Sequence, residues 1–391
     1  MFWTTVKYAI VTVATLAGLY IGLLGLLTTS AFQAHVVYLH AIQMTWFKDL
    51  DIPEIFGFLH NQATPFHIKS LSGENLYAWH ILPVELYRDH EQSLLAESPG
   101  FVDNFKTRFA FRLLKDDPEA ILVIHMHGAG GTVGSGYRTP NYRALSAGRP
   151  NRIHVLTFDY RGFGRSPGVP SERGVILDAI SVVEWAIHEA QIPPSRILIF
   201  SQSLGTAVNI AVAEHYALQE PSVVFAGHIM VAPFVDVATL VSTYSVAGTI
   251  PILGPVARFP VLFDYLRTFI KDKWSTKERI ASYVRTVEQQ KCDYRVTIIH
   301  AEDDYDIPWH HTQQVFARAV GATGAQELTT EEIERKKATL TVNKGYAGTV
   351  VEWRTGRGII REEILKYGLH DVIMGNPIVT LAVMRMLEDK A

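Results

Sequence analysis

The chain has 391 residues, with 36 Lys and Arg against 39 Asp and Glu and a net charge of −3. That balance offers no basic field for nucleic acid, and the length suits one large domain with appendages, or two domains. Hydrophobic residues reach 48%, high for a soluble enzyme, and Cys292 is the only cysteine, so no intrachain disulfide can form.

From Tyr8 to Phe47 there is no Lys, Arg, Asp or Glu, and Tyr8 to Thr29 is almost wholly apolar. About 20 such residues cross a bilayer as a helix. A cleaved signal peptide competes, because Lys7 precedes the run and Ser30-Ala31 follows it. The run exceeds the roughly 7–15 residues of a signal h-region, which favours an uncleaved anchor. Lys7 lies on one side and no Lys or Arg follows until Lys48, so the positive-inside rule places the N-terminus in the cytosol and the rest in a lumen or outside. Absence of an Asn-X-Ser/Thr sequon gives a lumenal site no further support. Residues His35 to Phe47 read either as an interfacial helix or as a linker helix packed on the domain.

Pro65 to Ser70 and Leu76 to Leu82 read as a hairpin around Ser72-Gly73-Glu74-Asn75. Residues 83–118 are polar and mixed, with no clear period. Ala120 to His127 is a strongly apolar strand that runs into Gly128-Ala129-Gly130-Gly131. Arg152 to Asp159 is another strand. Ser171 can cap a helix from Glu172 to Ala190. Ile197 to Phe200 is a short buried strand; Gln202-Ser203-Leu204-Gly205 turns sharply; Thr206 to Leu218 reads as a helix. Val223 to Val231 and Arg295 to His300 are further strands, Gly348 to Trp353 another, and Pro377 to Leu387 a closing helix. Apolar strands alternating with amphipathic helices mean an α/β domain with a largely parallel sheet, whose active groups gather at strand C-terminal ends.

Strand, tight turn and helix around Ser203 form a nucleophile elbow. The usual G-x-S-x-G has Ser201 at its first position here, while Gly205 is kept. Acyl transfer also needs N–H donors for an oxyanion, and those of Ala129 and Leu204 are the expected pair. A base needs a carboxylate partner. The loop after His300 offers Glu302, Asp303, Asp304 and Asp306; Asp304 is the first choice and Asp303 the second. The spacing of these acids does not match an EF-hand calcium loop. His370, in a loop before the closing helix, is the expected base, ahead of His127, His300, His310 and His311. The resulting order is Ser203, Asp304, His370.

With His127-Gly128, the run Asp159 to Ser166, Gln202 to Thr206 and His300 to Pro308 together, the chain from about residue 64 resembles the α/β-hydrolase superfamily. Within it, the single anchor, Tyr77-Ala78-Trp79-His80 and the His-Ala-Glu-Asp-Asp of 300–304 resemble the membrane-anchored α/β-hydrolase domain-containing protein twelve group. The resemblance implies an α/β-hydrolase fold, a mostly parallel sheet flanked by helices, with a helical cap insertion. It also implies a serine hydrolase of monoacylglycerols or lysophospholipids, notably lysophosphatidylserine, in the endoplasmic reticulum or another endomembrane with its domain lumenal. The expected division is an anchor over 1–32, an interfacial or linker segment over 33–63, and the hydrolase domain over 64–391. Its cap would span about 234–292, where a connection of about sixty residues rich in Ile252, Leu253, Phe259, Val261, Leu262 and Tyr265 is too long for a plain loop. The expected partners are a lipid acyl ester and the membrane; the chemistry requires no cofactor or metal. An acyl-protein thioesterase with a cytosolic domain, or a non-catalytic membrane scaffold on the same fold, are the other readings.

Overall fold

A computed structural model describes residues 2–243, 245–246, 250–251, 253–324 and 326–388; Ile252 of the expected cap lies outside them. The first element, α1 (Phe2–Leu27), has no buried residue. Among the described residues it is the one helix long and apolar enough to cross a membrane. α2 (Ser30–Tyr38) follows at once and ends at Leu39, whose φ of 50° is left-handed. The helix expected over His35 to Phe47 therefore stops at Tyr38. Residues 39–45 run on as a strap of turns, because the carbonyls of Tyr38 and Ile42 accept hydrogen bonds from Gly130 and Gly131 instead of from their own helix.

The strands of the main sheet are β1 (Ala63–Lys69), β2 (Asn75–Ile81), β3 (Ile121–Met126), β4 (Ile153–Phe158), β5 (Ile197–Gln202), β6 (Gly227–Val231), β7 (Tyr294–Ala301), β8 (Thr341–Asn343), β9 (Thr349–Arg354) and β10 (Gly358–Leu365). They form one sheet in the order β1-β2-β4-β3-β5-β6-β7-β10-β9-β8. The six strands from β4 to β10 in that order pair in parallel. Antiparallel pairs flank them on both sides. Every residue of β3, β4 and β5 is buried, which is why these strands read as continuous apolar runs.

Strand alternation builds two cores from one sheet. Leu122, Ile124 and Met126 face a cluster with α4 (Glu172–Glu184) and α5 (Leu204–Ala217). Ile121 and Val123 face the opposite cluster, with α3 (Arg138–Ser146) and α10 (Pro377–Met386). A third cluster joins α5 to α7 (Thr276–Gln289), α8 (His310–Gly321) and α9 (Thr330–Leu340).

Three further features differ from the sequence-based expectation. Residues 83–118 contain short helices, Val84–Asp89, Glu91–Leu95 and Phe109–Lys115, each too brief to display a helical period. β10 sits between β7 and β9, although Arg361-Glu362-Glu363 disguises it as surface. Lys337 neutralises Glu362 at 2.6 Å, and Arg361 and Arg385 each hold Glu363 at 2.7 Å. The stretch expected as a cap, 234–292, partly covers the sheet instead. Its last part, α7, packs Ile280 and Val284 into the third cluster beside the sheet, so only the segment around α6 (Pro260–Arg267) stands apart from the sheet layers.

A buried ion pair ties the first hairpin to this body. Arg161 donates to Asp178 through Nε at 3.0 Å and Nη2 at 2.6 Å, and Ser70 Oγ donates to the same carboxylate at 3.0 Å. Asp178 is wholly buried, and without it the guanidinium would keep only Ser72 and Glu74 as partners. Asp178→Ala should cost about 3–5 kcal/mol of unfolding free energy, read as a lower urea midpoint with an unchanged slope.

Candidate active site

The site is built where β5 turns into α5. Ser203 has φ 53° and ψ −123°, a conformation that ordinary residues avoid. Three hydrogen bonds hold it: Ser203 N–H donates to Val231 at 2.9 Å, and the Thr206 N–H and hydroxyl donate to the Ser203 carbonyl at 2.9 and 2.7 Å. Gly205 is required because a Cβ there would lie 2.1 Å from the Met126 carbonyl oxygen. Ser201, in the position usually glycine, is accommodated. Its hydroxyl donates to Ile229 at 3.0 Å and accepts from Asn209 Nδ2 at 2.9 Å.

Asp304 and His370 meet from two other strand ends. His370 Nδ1 donates to Asp304 Oδ2 at 2.7 Å. The remaining Asp304 oxygen accepts the N–H groups of Asp306 and Ile307, both at 2.9 Å. Desolvation opposes ionisation of this buried carboxyl, but the hydrogen bonds and charges of His300 and His370 outweigh it and hold the group well below its usual range. Burial lowers the His370 affinity for its proton, but the hydrogen bond and charge of Asp304, with Asp371 and Asp306, outweigh it and the net shift is upward. Both carboxylate oxygens are thus engaged as acceptors.

The acid loop sorts its other members clearly. Asp303 accepts from the N–H groups of Gly368 and Leu369 at 2.9 and 2.8 Å, so it pins the turn that presents His370 and is not the histidine's partner. Glu302 pairs with Lys366 at 2.7 Å. Among the alternative bases, His300 is fully buried and reaches Asp304 Oδ2 at 3.1 Å, with its Nδ1 on Thr312 at 2.7 Å. His127 is buried and kept neutral by desolvation. His311 bonds Val235 and Thr243, and His310 is exposed against Trp309.

A cavity of about 650 Å³ brings Ala129, Ser203, Leu204 and His370 together. Leu27, Val36 and Val37 from the first two helices, and Leu240, Val241 and Leu253 from the insertion, supply much of its apolar wall. Leu204, as the first residue of α5, has an N–H without an intrahelical acceptor. The Ala129 N–H also meets no acceptor among the described residues. Both candidate oxyanion donors are therefore available at one cavity.

Residues 121–334 match the family model described as "Alpha/beta hydrolase family". The chain belongs to this family. As an α/β hydrolase it is 26% identical over 73% of its length to the lysophosphatidylserine lipase ABHD12 of Danio rerio, and 26% identical over 80% to that of Xenopus tropicalis. The matches cover 66% and 72% of those relatives, so the chain spans about two thirds of their length. Its fold is similar to the crystal structure of an alpha-beta hydrolase from Vibrio vulnificus, with TM-score 0.51 and 14% identity over 79% of this chain and 89% of that one.

Sequence reasoning missed two residues of this α/β-hydrolase site. Arg138 is buried, and its guanidinium donates to the carbonyls of Gly128, Gly130 and Thr132 at 3.1, 2.6 and 2.6 Å. Gln202 donates to the His370 carbonyl and to Asp371, each at 3.3 Å. Arg138 has no spacing signal, and Gln202, although inside the elbow motif, meets partners that only the fold brings near. The elbow itself makes a testable demand. Gly205→Ala should drive α5 off β3 and cost about 1–3 kcal/mol or more in chemical unfolding, with a matching drop in thermal midpoint; Ser201→Gly should be far milder.

Proposed function

We propose that the protein is a membrane-anchored serine hydrolase that cleaves acyl esters of lipids, a monoacylglycerol or lysophospholipid lipase. The observation that carries this reading is the 2.7 Å bond between His370 and Asp304 at the apolar cavity that Ser203 also lines. Ser203 attacks the ester carbonyl while His370 Nε2 takes its proton. A C–O bond forms to Ser203 Oγ, and the Ala129 and Leu204 N–H groups stabilise the oxyanion. The imidazolium gives its proton to the departing alcohol as the ester C–O bond breaks. Water, activated by the now neutral His370, then releases the fatty acid. Asp304 fixes the Nδ1–H tautomer throughout and stabilises the imidazolium.

The apolar wall supports an acyl chain as the group held. The lysophosphatidylserine lipase names of the relatives support a single-chain lysophospholipid as the substrate to test first. Leu27, from the last turn of α1, lines the same cavity. With α1 as a membrane span, the acyl pocket begins where the bilayer ends, so a lipid need not cross water to reach Ser203. Lys7 near the start of α1 supports a cytosolic N-terminus and a lumenal domain.

Labelling of the detergent-solubilised protein by a fluorophosphonate should occur in the wild type and vanish in Ser203→Ala; equal labelling of both would sink the serine assignment. A second expectation concerns pH. Proton transfer needs neutral His370, whose pKa is raised above the ordinary 6.5. The value of kcat/KM should therefore fall on acidification with a limb above that pH. Asp304→Asn removes the charge that raises it, so the limb should move down. kcat should drop by roughly 10⁴, because the imidazole loses its tautomer control. A limb that stays in place would mean another group sets it.

A further inference from the structure

The loop that carries Ala129 is gripped from two sides. Arg138 takes the carbonyls of Gly128, Gly130 and Thr132. From the other side come groups that belong to the segment leaving α2. The Tyr38 carbonyl accepts the Gly130 N–H at 2.8 Å, and the Ile42 carbonyl accepts the Gly131 N–H at 2.6 Å. Ser135 Oγ donates to the Gln43 carbonyl at 2.7 Å, and the Thr45 and Thr132 hydroxyls lie 3.3 Å apart. Two successive loop N–H groups are thus spent on this segment, while the N–H before them, that of Ala129, is left for the cavity. The Ala129 N–H shares its peptide plane with the Gly128 carbonyl that Arg138 holds, and the adjoining plane carries the Gly130 N–H that the segment holds, so a shift of that neighbouring plane moves Ala129 and re-aims its donor.

The segment is itself fastened at Tyr38. Its side chain is fully buried; its hydroxyl donates to Asp272 at 2.7 Å and accepts from Trp274 Nε1 at 3.2 Å. The ring stands edge-on to Phe163 and Trp274. Earlier in α2, Gln33 bonds both the Phe269 carbonyl at 2.7 Å and the Lys271 N–H at 3.1 Å. Only Thr28 and Thr29 separate α2 from α1.

We propose that residues 38–45 form a strap that sets the oxyanion loop, with Tyr38 as its positioning residue, so that the chain leaving the anchor helix is part of the catalytic machinery. This rests on the hydrolase reading of Ser203 and adds a residue to it. Among the described residues no hydrogen bond joins the strap to Asp304 or His370, whose partners lie on other loops, so its effect is expected on oxyanion stabilisation and not on the base. The Tyr38 hydroxyl does not itself reach the loop. It holds in place the backbone carbonyl that does.

The test uses full-length protein in detergent and a water-soluble short-chain ester, p-nitrophenyl butyrate, so that lipid delivery plays no part. Tyr38→Leu should lower kcat by about tenfold or more with KM nearly unchanged, as expected when a transition-state contact weakens. Fluorophosphonate labelling should slow in parallel, because phosphonylation uses the same donors. The acid limb of kcat/KM should stay at its wild-type pH. Tyr38→Phe, which loses only the hydroxyl, should fall between the two. Amide hydrogen exchange should rise over residues 128–132 while β3 and β5 keep their protection. A wild-type kcat with unaltered loop exchange would overturn the proposal, as would a rise in KM alone. Lost protection in β3 and β5 would also overturn it, by assigning Tyr38 a global structural role. Should the wild type take no fluorophosphonate label, the hydrolase reading fails, and loop exchange still decides whether the strap holds the loop.

Discussion

A buried carboxylate must be fully paired or it will not stay ionised, and Asp304 is where the fold meets that demand. Its Oδ1 accepts two backbone N–H groups from the turn that follows β7, and its Oδ2 lies between His300 and His370. The turn must therefore close with Asp306 and Ile307 folded back toward the acid. His300 must sit at the end of β7, fixed from behind by Thr312 of α8. The loop after β10 must arrive at the right height to deliver His370, and Asp303 sees to that by holding Gly368 and Leu369. Two neighbouring aspartates divide the work: one orients the imidazole and the other orients the loop that bears it.

Much of the central sheet was legible because its strands are buried on both faces. β3 and β5 could read as unbroken apolar runs only if helices cover both sides, and the Gly-rich turns after them could only be strand ends. Ser203 was legible for the same reason, as the polar residue at a strand-to-helix turn. The choice between Asp303 and Asp304 was not, since it depends on one residue of register in a tight turn. β10 hid behind Arg361, Glu362 and Glu363: Lys337 and Arg385 from distant elements pair with the two glutamates, and Arg361 pairs with Glu352 and Glu363. Arg138 hid because a lone arginine reads as surface. Its recorded hydrogen bonds go to backbone carbonyls, which no residue pattern encodes. α7 was placed in the cap by its position in the chain, although Ile280, Val284 and Val287 already carried the helical spacing of a sheet-facing stripe.

The departure at Ser201 illustrates how a motif tolerates change. A glycine at the first elbow position matters where a side chain would collide. Here β5 places that side chain toward Asn209 and the Ile229 carbonyl, where a small hydroxyl finds a donor and an acceptor. Gly205 has no such latitude, because its neighbour is the backbone of β3. The two ends of one pentapeptide therefore obey different constraints, polar satisfaction at one and contact distance at the other.

Three histidines near the site show how surroundings, and not residue type, assign the chemistry. His127 lies wholly buried beside the Gly128 to Gly131 loop, with Nδ1 2.7 Å from the Gly128 carbonyl, and desolvation keeps it neutral. His300 touches the same carboxylate as His370, yet it is walled in and both ring nitrogens are occupied by Thr312, Asp304 and Ile307. His370 alone of the three lines the cavity while it spends Nδ1 on Asp304. A base must keep one nitrogen for the substrate-bearing side and have the other fixed, and a proton bound there must be stabilised by a nearby negative charge. Burial removes the first property from His127 and His300. The carboxylate pairing supplies the second to His370, and it explains why a histidine so near the interior gains affinity for its proton instead of losing it.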